Sequence, residues 1–165
     1  MFDEFFGVQM HPLAVHAPVV LIPIFAVATI VLLVRGDWRR RVGVWMAGGV
    51  AFTAVLLFVA RQSGYAAYDD GNGNFLGFGD VERHRDLGDQ TFVLGVLWTI
   101  LFAAVVFVDR RRNPAQVPAD LSAGAATSRR DPVVVGLSVL SAVAAVSVTV
   151  WLVRTGHAGA ESRWG

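Results

Sequence analysis

A chain of 165 residues with 55% hydrophobic side chains and a mean hydropathy of +0.54 is too apolar for an ordinary water-soluble domain. It has no cysteine, which excludes a disulfide framework, an iron–sulfur cluster, a c-type haem attachment and a thiolate zinc site. The net charge is only +1, and no basic run is interleaved with aromatics in a soluble segment, which argues against a nucleic-acid partner.

The opening "MFDEFFGVQM" is acidic and lacks the basic n-region of a cleavable signal peptide. Four apolar runs follow: Leu13–Val34, Val42–Ala60, Thr91–Val108 and Val133–Val153. None contains an internal Asp, Glu, Lys or Arg, and each approaches the roughly 20 residues that cross a ~30 Å hydrocarbon core as a helix. A soluble bundle would show polar stripes at helical spacing, and these runs show none. The sequence therefore predicts an all-α fold: a four-transmembrane-helix antiparallel bundle forming one integral membrane domain over 1–165. Its helices are expected at about 13–34, 42–60, 81–109 and 133–155.

The loops set the orientation. "RGDWRRR" joins the first two spans, and the segment from "DRRRNP" to "SRRD" joins the last two. Together these loops hold nine arginines against Asp37, Asp109, Asp120 and Asp131, a local charge of +5; the remainder holds five arginines against nine acids, or −4. Positive loops stay in the cytoplasm, so both termini and the central segment 61–90 are expected on the outer side of a bacterial cytoplasmic membrane. The inner segment of about 112–130, rich in Ala, Pro and Ser, reads as a flexible connector. In the outer segment "DDGNGN" reads as a turn rather than a calcium loop, since the spaced acids and terminal Glu of an EF-hand are missing. Asp80 is a predicted N-cap, with the acids up to Asp89 on a solvated helical face.

All four histidines, His11, His16, His84 and His157, fall at the outer ends of the expected helices. In an antiparallel bundle those ends converge, and neutral imidazole is a common metal ligand. Pro12 and Pro18 flank the first two, and Pro23 is expected to kink the first helix. Gly156 and Gly159 flank His157, while Gly88 and Gly95 share a face near His84, where small residues admit a flat ligand or a neighbouring backbone. Arg61 and Arg154, at the outer ends of the second and fourth spans, can reach an anionic group such as a cofactor carboxylate or an acid of the central loop.

Three functions fit. The first is a haem b held by two axial histidines, best chosen among His16, His84 and His157, with Arg61 or Arg154 neutralising the propionates and electron transfer as the role. The second is a non-haem copper, zinc or iron centre on three or four of the histidines, with Met10 as an added soft ligand for copper and Glu82 or Asp86 as acid–base groups. The third is a cofactor-free accessory subunit, packing by small residues of the fourth helix (Gly136, Ser138, Ser141, Ala144, Ala145, Ser147). The expected partners are the lipid bilayer and a larger membrane redox complex or a second copy of the chain. Whether the protein is an enzyme is open at this stage.

Taken together, "HPLAVHAP", "SGYAA", "HRDLG" and "TGHAGA" resemble a family of small bacterial four-helix membrane proteins of unassigned function, over nearly the whole chain. That resemblance implies the four-helix fold and a histidine-bearing outer face. A looser likeness, at the level of architecture, is to four-helix b-type cytochromes, which hold haem between histidines on facing helices. This chain differs from them in placing no histidine at the membrane middle or the inner side.

Overall fold

The structure is a computed structural model, which describes residues 4–5, 8–69, 81–112 and 131–164. The expected turn at "DDGNGN", the Asp80 cap and most of the 112–130 connector lie outside these residues. Two short antiparallel strands, β1 (Glu4–Phe5) and β2 (Val8–Gln9), precede four long helices: α1 (Met10–Val34), α2 (Gly36–Asp69), α3 (Val81–Arg112) and α4 (Pro132–Trp164). All four are long and apolar enough to cross a membrane.

The helices run longer than expected, and α2 does so at both ends, reaching Asp69 rather than residue 60. Residues 36–41, read as a loop, form the first turns of α2, so only Arg35 separates α1 from α2. The helical path continues almost without pause there, because the Arg35 amide still donates to the Val31 carbonyl and Arg39 donates to Arg35. At the other end α4 runs past residue 155 through "TGHAGAESRW", carrying Gly156 and Gly159 inside the helix. Helix α1 continues through both Pro18 and Pro23.

The helices pack as a closed ring, α1 on α2, α2 on α3, α3 on α4 and α4 on α1. Their contacts fix an antiparallel order. The start of α2 meets the end of α3 (Arg39–Asp109), the end of α2 meets the start of α3 (Arg61–Asp89), and the end of α3 meets the start of α4 (Arg112–Asp131). One end of the bundle therefore carries the histidines and the other the arginine-rich turns.

Burial is inverted relative to a soluble protein. Trp98, Phe102, Ile22, Val50, Val105 and Val148 fill the interior, while Ile24, Val27, Phe52, Val55, Val93, Ile100 and Val143 are more than half exposed on the outside. Such a surface is stable only against lipid, so the hydrophobic effect does not draw the helices together; close packing does. Gly49 shows how close: a Cβ there would stand 2.3 Å from Phe25 Cε1.

At the arginine end Arg39 and Asp109 are buried together, Nε to Oδ2 at 3.0 Å, and Arg39 Nη1 donates to the Leu33 carbonyl at 3.2 Å. This pair ties α2, α3 and the end of α1 at one point. Both residues fall just outside the apolar runs, at positions that read as loop and helix end in the sequence.

Candidate functional site

The histidine end is built by all four helices. His11, in the first turn of α1, turns inward against α2; its Nδ1 lies 3.1 Å from the Ala60 carbonyl and 3.1 Å from Ser63 Oγ, which itself donates to Ala60 at 2.8 Å. His84, in the first turn of α3, turns inward against α4, with Nδ1 2.9 Å from the Thr155 carbonyl. A carbonyl only accepts, so in both rings Nδ1 carries a hydrogen, and Nε2 is the atom that can offer a lone pair. The two rings meet across the bundle, from helices that are not neighbours in the ring, with centroids 6.0 Å apart and planes at 78°.

Glycines make this possible. A Cβ at Gly64 of α2 would sit 3.1 Å from His11 Cε1, and one at Gly159 of α4 would sit 2.8 Å from His84 Cε1. Beneath the pair, the hydroxyls of Thr91 and Thr155 join α3 to α4 at 2.9 Å: one donates to the other, which donates in turn to its own helix, at Leu87 or Trp151. The Thr155 backbone is thereby fixed where its carbonyl receives His84.

The structure separates the other two histidines from this pair. His16 is exposed on α1, its Nδ1 bonded to the Pro12 carbonyl one turn back. His157 is exposed on α4, with Nε2 3.1 Å from Glu161 Oε1. Helical register decides this: five residues separate His11 from His16, which puts them on different faces. Among the described residues no three or more of His, Cys, Asp and Glu converge to hold one ion.

A second cluster lies beside the first, between α2 and α3. Arg61 Nε donates to Asp89 Oδ1 at 2.8 Å, the Tyr65 hydroxyl donates to Asp89 Oδ2 at 2.7 Å, and Arg61 Nη2 donates to the Tyr65 oxygen at 3.3 Å. The guanidinium of Arg61 lies over the rings of Tyr65 and Phe92, and Arg85 covers Tyr65 as well. The acid expected within reach of Arg61 is thus Asp89, half-buried rather than on a solvated face; Glu82 and Asp86 are exposed. Arg154 is exposed over the Trp151 ring, whose Nε1 donates to Gln90.

A family model described as "Predicted membrane protein (DUF2231)" matches residues 7–165. The chain belongs to the DUF2231 family. Neither a curated protein nor a solved structure matches it. In this DUF2231 member the segments "HPLAVHAP", "SGYAA", "HRDLG" and "TGHAGA" supply His11, Gly64, Tyr65, His84 and Gly159, so four stretches distant in sequence come to one end of the bundle. The sequence offered four histidines of equal standing. What selects two of them is their side of the helix, together with Ser63, Thr155 and the two glycines, none of which announces a role on its own.

Proposed function

We propose that this protein is a b-type haem protein of the bacterial cytoplasmic membrane that carries electrons, with His11 and His84 as the residues that would hold the haem. The cross-bundle imidazole pair carries this reading. Both rings are oriented by a carbonyl at Nδ1, as metal-binding histidines commonly are, which leaves Nε2 as the donor atom. Two imidazoles that would share one metal must come close from facing helices, each offering one nitrogen. The pair here is at 6.0 Å.

The number of donors favours haem over a bare ion. A structural zinc takes four protein ligands and a catalytic one three, whereas a haem brings four nitrogens of its own and needs two. When bound, the haem supplies one-electron chemistry at a potential set by its axial ligands and surroundings. The chain's part is to hold the imidazoles, through Ala60, Ser63 and Thr155, and to leave room with Gly64 and Gly159. Arg154 has no carboxylate partner among the described residues and is the cation proposed for a propionate; Arg61 is occupied by Asp89. A larger redox complex, or a second copy of the chain, is the proposed electron partner.

The test is an absorption spectrum of detergent-purified protein, oxidised and then reduced with dithionite. A sharp Soret shift with split visible bands is expected, lost in His11→Ala and in His84→Ala and retained in His16→Ala and His157→Ala. Colourless protein with stoichiometric copper, zinc or iron would replace haem by a metal ion. Colourless, metal-free protein would overturn the reading and leave edge-to-face packing, which spans about 4.5–7 Å for aromatic rings, in a cofactor-free subunit.

The excess of arginine at the opposite end supports placing both termini and the histidine pair on the outer side. As the chain has no cysteine, single cysteines report this cleanly. Glu82→Cys should react with an impermeant maleimide in intact cells and Asp37→Cys only after permeabilisation; the reverse pattern would invert the orientation.

A further inference from the structure

The arginine end holds more positive charge than the bundle uses. Among the described residues it carries seven arginines (35, 39, 40, 41, 110, 111 and 112) and three aspartates (37, 109 and 131), a surplus of four. Each aspartate is taken: Asp37 by Arg40, Asp109 by Arg39, Asp131 by Arg112. Arg35, Arg41, Arg110 and Arg111 have no carboxylate partner among the described residues. Unbalanced like charges on adjoining helix ends repel, so holding them together costs stability unless an anion joins them.

They are held together nonetheless. Arg110 Nη2 donates to the Arg40 carbonyl at 3.1 Å, and the buried Arg39–Asp109 pair clamps the same two helix ends. Arg35 lies over the Trp38 ring at 5.1 Å and Arg111 over the Phe107 ring at 4.2 Å, and both rings are more than half exposed. The result is a ridge of guanidinium groups over exposed aromatics, running from the α1–α2 junction to the end of α3.

We propose that this ridge binds the phosphate headgroup of an anionic phospholipid. Guanidinium is the side chain best matched to phosphate oxygens, which it can bind in two-pronged fashion. Position selects the lipid among phosphate bearers. The ridge stands where α1, α2 and α3 leave the membrane-crossing segments, the depth of headgroup phosphates, and Trp38 and Phe107 offer apolar surface to the glycerol and upper acyl region beside it. The proposal is independent of the histidine pair and of any cofactor there.

The experiment compares thermal unfolding midpoints of the full-length protein in nanodiscs of phosphatidylcholine alone and of phosphatidylcholine with graded cardiolipin. Cardiolipin should raise the midpoint, and the half-effective amount should be about thirtyfold larger in the exposed-site double variant Arg41→Gln/Arg111→Gln, since each cation near an anionic surface counts separately. Arg83→Gln/Arg85→Gln, at the opposite end, should respond as the unaltered protein does. No cardiolipin effect on the unaltered protein, or an equal effect in both double variants, would overturn the proposal. If inorganic phosphate added to phosphatidylcholine discs gave the same rise, the ligand would be a soluble anion and the lipid assignment would fail. Were the first double variant unable to fold, a salt titration of the unaltered protein would decide: the cardiolipin effect must fall steeply as ionic strength rises, and a salt-independent effect refutes it.

Discussion

Gly159 lies so close to His84 that a methyl group in its place would stand 2.8 Å from Cε1 and 2.9 Å from Nδ1 of the ring. The ring cannot stay where Thr155 receives it once that methyl is present. Gly159→Ala is therefore expected to displace His84 and break its bond to the Thr155 carbonyl, at a cost of about 1–3 kcal/mol from overpacking. That cost exceeds the gain of up to about 1 kcal/mol that alanine brings to a helix interior. Gly156→Ala supplies the comparison, because nothing lies within 4 Å of a Cβ there. A lower unfolding midpoint in the first variant and not in the second is the expected outcome, with loss of the haem spectrum beside it under the proposed function; equal behaviour would remove the steric argument.

The buried Arg39–Asp109 pair gives a prediction about stability alone. The two side chains are 8% and 4% exposed, so an Arg39 guanidinium deprived of Asp109 has no water to turn to. Asp109→Leu is expected to cost about 3–5 kcal/mol, and Arg39→Met/Asp109→Leu to recover most of it. Chemical unfolding in detergent micelles measures both. A double variant as damaged as the single would show that the loss comes from packing instead of an orphaned guanidinium.

Acid should loosen the start of α4. Asp131 accepts from Arg112 Nη1 at 2.8 and 3.1 Å and from the Val133 amide at 2.8 Å. Arg112 above all, and the Val133 amide with it, hold the Asp131 carboxyl below the usual carboxylate range. A depressed carboxyl lends stability that is present above its ordinary value, near pH 4, and that is lost as pH falls through the depressed value. After correction for intrinsic rates, hydrogen exchange at the amides of Val133 and Val134 should accelerate as pH drops below about 4. In Asp131→Ala, which removes the acceptor, it should be fast already at neutral pH, with no added acid step. An acid step of equal size in that variant would assign it to another group.

The lipid-facing surface can be read from tryptophan. Trp45 is 83% exposed on α2 and Trp98 is fully buried on α3. In single-tryptophan variants reconstituted with brominated phosphatidylcholine, Trp45 should be strongly quenched and Trp98 nearly unquenched. Comparable quenching of the two would mean that the helices pack with a different face inward.

Much of the architecture was legible in the order of residues. Four uninterrupted apolar runs dictate four spanning helices, because no other backbone arrangement within one chain satisfies its own amides at that length in lipid, short of a closed barrel. The lengths of α2 and α4 were not legible. "GDWRRR" breaks the apolar run with charge and "TGHAGA" carries two glycines, and tertiary contacts at Arg39 and Thr155 tie both stretches into the bundle as helix.

The choice of two histidines from four belonged to the fold alone. Sequence placed every imidazole near one membrane surface, since depth along a helix follows from counting residues. Which side of the helix faces the axis depends on how four helices rotate against one another, and that rotation is set by contacts such as Phe25 on Gly49 and Arg39 with Asp109, which join positions far apart in the chain. Depth is a one-dimensional property and a linear code carries it; convergence needs the mutual packing of all four helices. The functional case stands on those two imidazole rings sharing the bundle axis, and protein that stays colourless and metal-free after purification would bring it down.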